Sequence, residues 1–508
     1  MEAGSMTRSH IALVSVPAFS HQVSILRFAK RLLQLHNNDF NVTCIIPTVG
    51  VSSTPSKSFF HTLPPNIHCI FLPSVHFDDL KNNGVPVEVQ LQLSVSRVMP
   101  SVRDTLRSLL SSTNVVALIA DAMVPEALEF VKEHNILSYI YFPCSSMLLS
   151  LCLHAPTLDQ EVSCEYRDHP HLIKIPGCIS IYGKDLPDSA QDRSSLNYKL
   201  FLKRCQKYRD VHDGILVNSF LEMEEEATKA IIQQSICNGN GVGDRNYPPI
   251  FPIGPIIQNG SSGQKNDCDL CLLWLDKQPP NSVLYVSFGS GGTLSQEQIN
   301  ELALGLELSR HKFLWVNLRA PNDRASATYF VNDSLVDDPL SYLPLGFLER
   351  TKGQGLVTSG WAPQVEVLDH ESVGAFLTHC GWNSVLESVV HGVPMIAWPL
   401  FAEQRTNAAL VTDGLKVAVR LNTSGESVVL KEEVAEVIKS VMEELEGEEI
   451  RRRMKELQKL AACAVMEDGS AGKTLSKLAL KWRSLGNQKI ERGEPLDEET
   501  HDEGEGLL

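Results

Sequence analysis

The 508 residues carry 61 Asp and Glu against 45 Lys and Arg, a formal net charge of −16, with 43% hydrophobic and 21% charged residues. At roughly 150 residues per domain such a chain holds two or three domains and a cleft between them, and its composition is that of an ordinary globular protein, neither disordered nor fibrous. The acidic balance repels phosphate backbones and anionic lipid, so nucleic acid and membrane surfaces are excluded as main partners, while a local phosphate site is not.

The twelve cysteines, among them Cys44, Cys69, Cys144, Cys152, Cys380 and Cys463, lie scattered without the spacing of zinc ligands or of a disulfide framework, which points to a reducing compartment. Residues 1–10 are polar, and no run approaches the ~18 apolar residues of a membrane span. The expectation is a cytoplasmic protein without signal peptide or spanning helix. Four Asn-x-Ser/Thr triplets, at Asn41, Asn259, Asn332 and Asn422, carry no weight there.

Short apolar runs alternate with longer helical patterns from the start: 11–16, a segment around 28–35, 42–46, an amphipathic stretch over 98–110, and 117–120. That alternation predicts a mostly parallel sheet covered on both faces, with ligands beyond the carboxyl ends of its strands. The stretch 248–269 changes character, with Pro248, Pro249, Pro252, Pro255, Gly260 and Gly263, and reads as a connection between domains. A second alternating series follows, with strands over 283–288, 313–318, 356–358, 374–377 and 395–398 and a helix over 295–308. A later helix over 432–445 sets Val434, Val437, Ile438, Val441 and Leu445 on one face. The Asn-, Asp- and Pro-rich 320–345 reads as an exposed loop, and the charged end after Gln488 as a mobile tail. The chain divides into an N-terminal domain over 1–255, a linker over 256–269, a C-terminal domain over 270–482 and a charged flexible tail over 489–508.

The densest chemical signal runs from Trp361-Ala362-Pro363-Gln364 through Thr378-His379-Cys380-Gly381-Trp382-Asn383-Ser384 and Glu387 to Glu403-Gln404. A strand ends near Leu377, a glycine turn follows, and a helix opens near Asn383. The unbonded amides of its first turn, with the side chains of His379, Asn383 and Ser384, form a seat for phosphate oxygens. About one turn further on, Glu387 is placed to accept two hydrogen bonds from a vicinal diol, and Trp361 offers a flat face to a base or is a core residue. The turn Phe288-Gly289-Ser290-Gly291-Gly292-Thr293, between a strand and a helix, lets backbone approach phosphates from a second side. It lacks both the Walker lysine and the full dinucleotide fingerprint.

On the other half, the strand over 11–16 leads through Pro17-Ala18-Phe19-Ser20 to His21, ahead of a helix beginning near Val23. A histidine there is a surface residue, a satisfied core residue or a base. Asp121 ends the strand over 117–120 on the same rim, and a carboxylate bonded to one imidazole nitrogen fixes the tautomer and frees the other to take a proton.

The segment 361–404, with Tyr285-Val286-Ser287-Phe288-Gly289-Ser290-Gly291-Gly292-Thr293-Leu294, resembles the signature of plant family 1 UDP-sugar-dependent glycosyltransferases, and in particular the branch containing hydroquinone glucosyltransferases. The resemblance covers 11–482 and implies the α/β GT-B fold: two facing Rossmann-like domains with mostly parallel sheets, the N-terminal one binding the acceptor and the C-terminal one the UDP-sugar. It leaves open whether the last helix returns to the N-terminal domain. By that likeness Trp361 stacks on uracil, with Ala362 and Gln364 beside base and ribose. Glu387 holds the ribose, Ser290, His379, Asn383 and Ser384 the diphosphate, and Glu403 and Gln404 the sugar, while Trp382 lines the donor pocket. A glutamine at the place of Gln404 accompanies glucose, so UDP-glucose is the expected co-substrate.

The resemblance also makes His21 the general base and Asp121 its orienting partner, in an inverting reaction that gives a β-glucoside of a small phenolic, phenylpropanoid or flavonoid acceptor. Relatives often carry Gly-His-x-x-Pro here, where this chain has Ser20-His21-Gln22-Val23-Ser24, a departure that alters the loop beside the acceptor. Phe19, Met123, Phe142, Met147 and Leu148, with the segment 87–98, are the apolar candidates for the acceptor pocket or are ordinary core. No metal or further cofactor is expected, since His379 stands apart from any ligand trio. Transfer to nitrogen or aromatic carbon, or nucleotide-sugar binding without turnover, remain alternatives. The sequence does not determine oligomeric state, with a monomer the default.

Overall fold

The computed structural model describes residues 8–36, 39–48, 59–74, 85–134, 136–236, 247–257, 268–326, 338–422 and 428–492. Strands β1 (Ser9–Val14), β2 (Phe40–Ile46), β3 (Ile67–Phe71), β4 (Val115–Asp121), β5 (Leu137–Phe142), β6 (Gly214–Val217) and β7 (Ile250–Pro252) form one sheet, in the order β3-β2-β1-β4-β5-β6-β7. A second, in the order β10-β9-β8-β11-β12-β13, is made of β8 (Val283–Ser287), β9 (Lys312–Trp315), β10 (Gly355–Val357), β11 (Val373–Thr378), β12 (Met395–Ala397) and β13 (Ala418–Arg420). Strand pairing in both sheets is parallel.

The central strands β1, β4, β8 and β11 are buried from end to end, which is why they read as nearly continuous apolar runs: helices cover both faces. Alternate side chains serve different cores. Ile11 and Leu13 pack with Ile25 and Phe28 on one face of the first sheet, and Ala12 and Val14 with Val95 and Leu149 on the other. In the second sheet Leu284 and Val286 meet Leu302 and Ile438, while Val283 and Tyr285 meet Val367 and Leu368. Two α/β halves with parallel sheets are the GT-B arrangement.

The halves are tied together twice. One core cluster of the first half continues into the second through Trp382, Val385 and Leu386. The last helix, Ser470–Arg492, lies against β1, β4 and β7 and sends Leu475, Leu478 and Trp482 into the first half's other core.

Several boundaries depart from the sequence expectation. The first helix, Phe19–Leu35, opens ahead of Val23 because the Ala18 carbonyl already accepts from the N–H groups of His21 (3.1 Å) and Gln22 (3.0 Å). His21 therefore sits in a helical first turn and not in a loop before it. The helix expected over 98–110 runs Val87–Ser112, so the segment 87–98 is its first half, with Leu91, Val95 and Val98 in the core. Part of the proline-rich stretch supplies β7, an edge strand that tolerates Pro252. The helix expected over 432–445 ends at Glu443, and a new one, Leu445–Ala464, begins after Glu444. The last helix continues past Gln488 into the expected tail. Residues 258–267 of the linker with Asn259, 327–337 of the loop with Asn332, and 493–508 lie outside the described residues. No described helix is long and apolar enough to cross a membrane.

Candidate active site

In each sheet the strand order reverses once, between β1 and β4 and between β8 and β11. Chains leaving neighbouring strands at such a point diverge to opposite faces and open a crevice at the carboxyl ends. His21 and Asp121 stand at the first of these places and Ser290 and His379 to Glu387 at the second, while Trp361 to Gln364 follow β10 and Glu403 and Gln404 follow β12.

At the first, the His21 Nδ1 lies 3.0 and 2.9 Å from the two oxygens of Asp121. Asp121 is fully buried, and its Oδ1 also accepts the Met123 N–H at 2.9 Å. A carboxylate on the Nδ1 side places the ring proton there and leaves the Nε2 lone pair free. Burial works against the imidazolium, but the charge and hydrogen bond of Asp121, with the charge of Glu403, outweigh it and the opposing Arg204, and raise the His21 pKa above its ordinary value.

At the second, His379 is slotted between two glycines. A Cβ on Gly289 would stand 2.6 Å from the ring and one on Gly381 2.5 Å, and Gly289 has φ 73°, the left-handed region glycine adopts without strain. Burial pushes the His379 pKa down to about 4, so the ring is neutral near pH 7. His379 Nδ1 and Asn383 Oδ1 are buried without a hydrogen-bond partner, a cost to stability. Directly behind them the helix Trp382–His391 opens on Gly381 with no side chain capping it, so its first amides face the crevice as a partial positive charge. Ser290 is exposed in the turn beside Gly289.

Further along this half, Trp361 is 49% exposed, with Ala362 buried in the core beneath it. Gln364 starts the helix Gln364–Asp369, and its amide nitrogen donates to Ser384 Oγ at 3.0 Å and Glu387 Oε2 at 2.7 Å. The other Glu387 oxygen lies 3.6 Å from Arg27 Nη1, on the helix that carries His21. Burial raises the Glu387 pKa, with Arg27 and Gln364 opposing it. Trp382 is buried in the core shared by the halves, where its indole N–H donates to the Asn218 carbonyl at 2.7 Å.

Gln404 is buried, and its side-chain oxygen accepts the N–H groups of Leu400 at 2.9 Å and Phe401 at 3.0 Å, so its amide nitrogen is the end left to donate elsewhere. Glu403 and His21 come from opposite halves yet lie close enough for each charge to shift the other's pKa. Among the acceptor candidates, Phe19 is 38% exposed and meets Phe59 edge-on, and Met123 is half-buried. Phe142, Met147 and Leu148 are core residues in this structure.

Arg27, Glu88 and Asp188 stand beside these residues in the structure without a signal that singles them out in the sequence. Arg27 reads as the start of a basic surface run with Lys30 and Arg31, and its one signal is a charge between two buried residues, Leu26 and Phe28. Burial pushes Glu88, in the first turn of Val87–Ser112, up to about 7, with Asp188 and Glu403 adding to the effect. Among the described residues no group of three or more His, Cys, Asp or Glu is placed to hold a metal ion.

The family model for UDP-glucoronosyl and UDP-glucosyl transferase matches residues 12–456. Hydroquinone glucosyltransferase of Rauvolfia serpentina is 48% identical over 476 residues, covering 94% of this chain and 98% of its own. Among solved structures, that of Phytolacca americana UGT2 with UDP-2-fluoro-glucose and pterostilbene superposes with a TM-score of 0.82 at 40% identity, over 95% of this chain and 100% of the other. That of a Polygonum tinctorium UDP-glucosyltransferase capable of glucosylating indoxyl, with 3,4-dichloroaniline, does so with a TM-score of 0.83 at 41% identity, over 94% and 98%. These matches establish that the chain belongs to the plant family 1 UDP-dependent glycosyltransferases and is a UDP-glucose-dependent enzyme.

Proposed function

We propose that the protein catalyses inverting transfer of glucose from UDP-glucose to the hydroxyl of a small phenolic, phenylpropanoid or flavonoid acceptor. The observation that carries this reading is the His21–Asp121 pair at 2.9 Å, set at the first switch point and facing Glu403 from the other half. The acceptor O–H proton passes to His21 Nε2 as its oxygen bonds to the anomeric carbon, and the bond from that carbon to the diphosphate breaks. Asp121 holds the tautomer and stabilises the imidazolium that forms. Negative charge grows on the departing UDP, where the amides opening Trp382–His391, with His379, Asn383, Ser384 and Ser290, receive it. A phenol, with a pKa near ~10, suits a histidine base better than an aliphatic alcohol does. Displacement from the face opposite the leaving group converts an α-linked donor into a β-glucoside.

In this reading Trp361 stacks on the base, Glu387 and Gln364 take the ribose, and Glu403 and the Gln404 amide nitrogen take sugar hydroxyls. Phe19 and Met123 meet the acceptor first. The relatives act on or bind molecules of matching shape: hydroquinone by name, pterostilbene, and indoxyl. Transfer to an aromatic amine is the second reading, favoured by the 3,4-dichloroaniline held in the Polygonum structure.

The test is a mass-resolved assay with UDP-glucose and a mixed panel of phenols and anilines. One added hexose, released by acid, is expected on the phenols, and His21→Ala is expected to lose ~10²–10⁴-fold in rate with UDP binding kept. Turnover by His21→Ala at the wild-type rate would remove His21 as base.

A further inference from the structure

The turn that carries Glu403 and Gln404 is held from the other half of the molecule. Ala402, just before them, has φ 57°, a left-handed conformation that an alanine keeps only where its surroundings fix it. Asp188 supplies that fixing. Its Oδ2 accepts the Ala402 N–H at 3.0 Å, and its own N–H donates to the Ala402 carbonyl at 3.0 Å, so both backbone groups of Ala402 are bound to one residue. The remaining oxygen, Oδ1, accepts from Arg405 Nη1 at 2.6 Å, just beyond Gln404. Nearby, the Asp185 carbonyl accepts the Thr406 hydroxyl at 2.7 Å, and the Asp185 carboxylate pairs with Arg420 at 2.8 Å. One short stretch of the N-terminal half therefore grips the chain on both sides of Glu403 and Gln404. The nucleotide cradle around Gly289, His379 and Glu387 is built from other segments and meets the gripped helix at Asn407, whose side-chain nitrogen donates to the Cys380 carbonyl at 3.0 Å.

We propose that Asp188 is a positioning residue for the donor sugar: by fixing Ala402 and Arg405 it sets where Glu403 and Gln404 meet the sugar hydroxyls, so the acceptor half takes part in choosing the sugar. This rests on the assignment of Glu403 and Gln404 to the sugar. Loss of the clamp leaves UDP binding intact and loosens the fit of the hexose, because a misplacement of about 1 Å in the groups that position a substrate costs up to ~10²-fold in rate.

The experiment measures UDP affinity by calorimetry and kcat/KM with UDP-glucose and with its C4 epimer UDP-galactose, on the full chain with one phenolic acceptor. Asp188→Ala is expected to keep UDP affinity, to lose ~10-fold or more in kcat/KM for UDP-glucose, and to narrow the glucose-to-galactose ratio. Asp188→Asn keeps an oxygen for the Ala402 N–H and is expected to recover most of the ratio. An unchanged ratio in Asp188→Ala, or a fall in UDP affinity that accounts for the whole loss, overturns the proposal. If Asp188→Ala does not bind UDP because it fails to fold, Arg405→Met removes the other end of the clamp and is judged by the same two results. Gln404→Ala separates the levels: if it too leaves the ratio unchanged, the sugar assignment fails; if it changes the ratio while Asp188→Ala does not, the clamp alone fails.

Discussion

The two switch points share one topology and hold opposite chemistry. In the first half the helix after β1 starts at Phe19, directly behind the strand, and brings His21 onto Asp121 at the end of β4. In the second half the chain after β8 runs through a glycine turn before its helix begins at Gln296, and the residue past β11 is His379, with glycines where the first half has side chains. One histidine is held above its ordinary pKa by a buried carboxylate; the other is pushed to about 4 by burial. The strand order makes the crevice in both cases. In the proposed reading, what the crevice does is set by a few residues at the strand ends: a carboxylate makes it a place for proton transfer, and glycines with an open helix end make it a place for an anion.

The comparison breaks most sharply if the carboxylate is removed. Asp121→Asn keeps the shape but lets its amide N–H₂ donate to Nδ1, which puts the ring proton on Nε2 and spoils the base. A loss of ~10²–10⁴-fold in kcat/KM is expected. The pH profile adds a second readout. The base must be neutral, so wild-type activity falls as pH drops through the raised His21 pKa. In the variant the raising partner is gone and burial remains, so this acidic limb moves to lower pH. Steady-state kinetics from pH 5 to 9, an experimental range of about four units around neutrality, would show it; an unmoved limb with full activity would mean that the pair is structural.

The glycine side is tested by giving it a side chain. Gly289→Ala introduces a Cβ 2.6 Å from the His379 ring at φ 73°. The backbone strain alone is worth about 1–3 kcal/mol, and moving His379 disturbs the phosphate seat, so UDP affinity is expected to weaken by ~10–100-fold. Calorimetry with UDP is the measurement. The chemical step at saturating donor should also slow, since the seat receives the charge of the leaving group, but by less than in Asp121→Asn, because His21 and Asp121 are left intact on the other half; a kcat loss as large as that of Asp121→Asn would mean that the two switch points are not separable.

Much of this contrast is visible in the residues themselves. The Thr378–Ser384 run, the glycines after β8 and the apolar strands announce both sheets and the anion seat, because local chemistry and local structure coincide there. Strands β3, β5, β6 and β13 have no counterpart in the sequence reading, and β7 falls in the stretch read as a connection between domains. β5, LSYIYF, passes for helix or strand at its length, and β3, IHCIF, is a short apolar run broken by His68, with only Ile67 buried, so its length does not separate strand from helix. His21 is recognisable while its place in a helical turn is not, since Ala18 and Phe19 give no capping signal. Phe142, Met147 and Leu148 are apolar in the right part of the chain, but apolarity does not distinguish a pocket wall from the core behind it. Asp188 and Arg27 act across the interface between halves, and a contact between residues far apart in sequence leaves no local pattern.

Arg27 gives the smallest of these effects and the most specific one. It joins the two switch points physically: it rides on the helix of His21 and ends 3.6 Å from Glu387, with both side chains mostly buried. Burial raises the Glu387 pKa; Arg27, Gln364 and His391 act to lower it, and Glu366 to raise it. Arg27→Met removes the strongest opposing charge, so Glu387 takes up a proton at higher pH than in the wild type. A protonated carboxyl has one oxygen fewer to accept from the ribose diol, and the net worth of such a hydrogen bond, about 1 kcal/mol, corresponds to roughly fivefold in the KM for UDP-glucose. The sign is fixed: the KM of the variant rises as pH falls and returns toward the wild-type value as pH rises and Glu387 ionises, while kcat at saturating donor holds. Donor KM measured across pH in the two proteins decides it. A rise in KM independent of pH would assign Arg27 to holding the halves together by packing alone, and the link between the acceptor helix and the ribose carboxylate would lose its electrostatic basis.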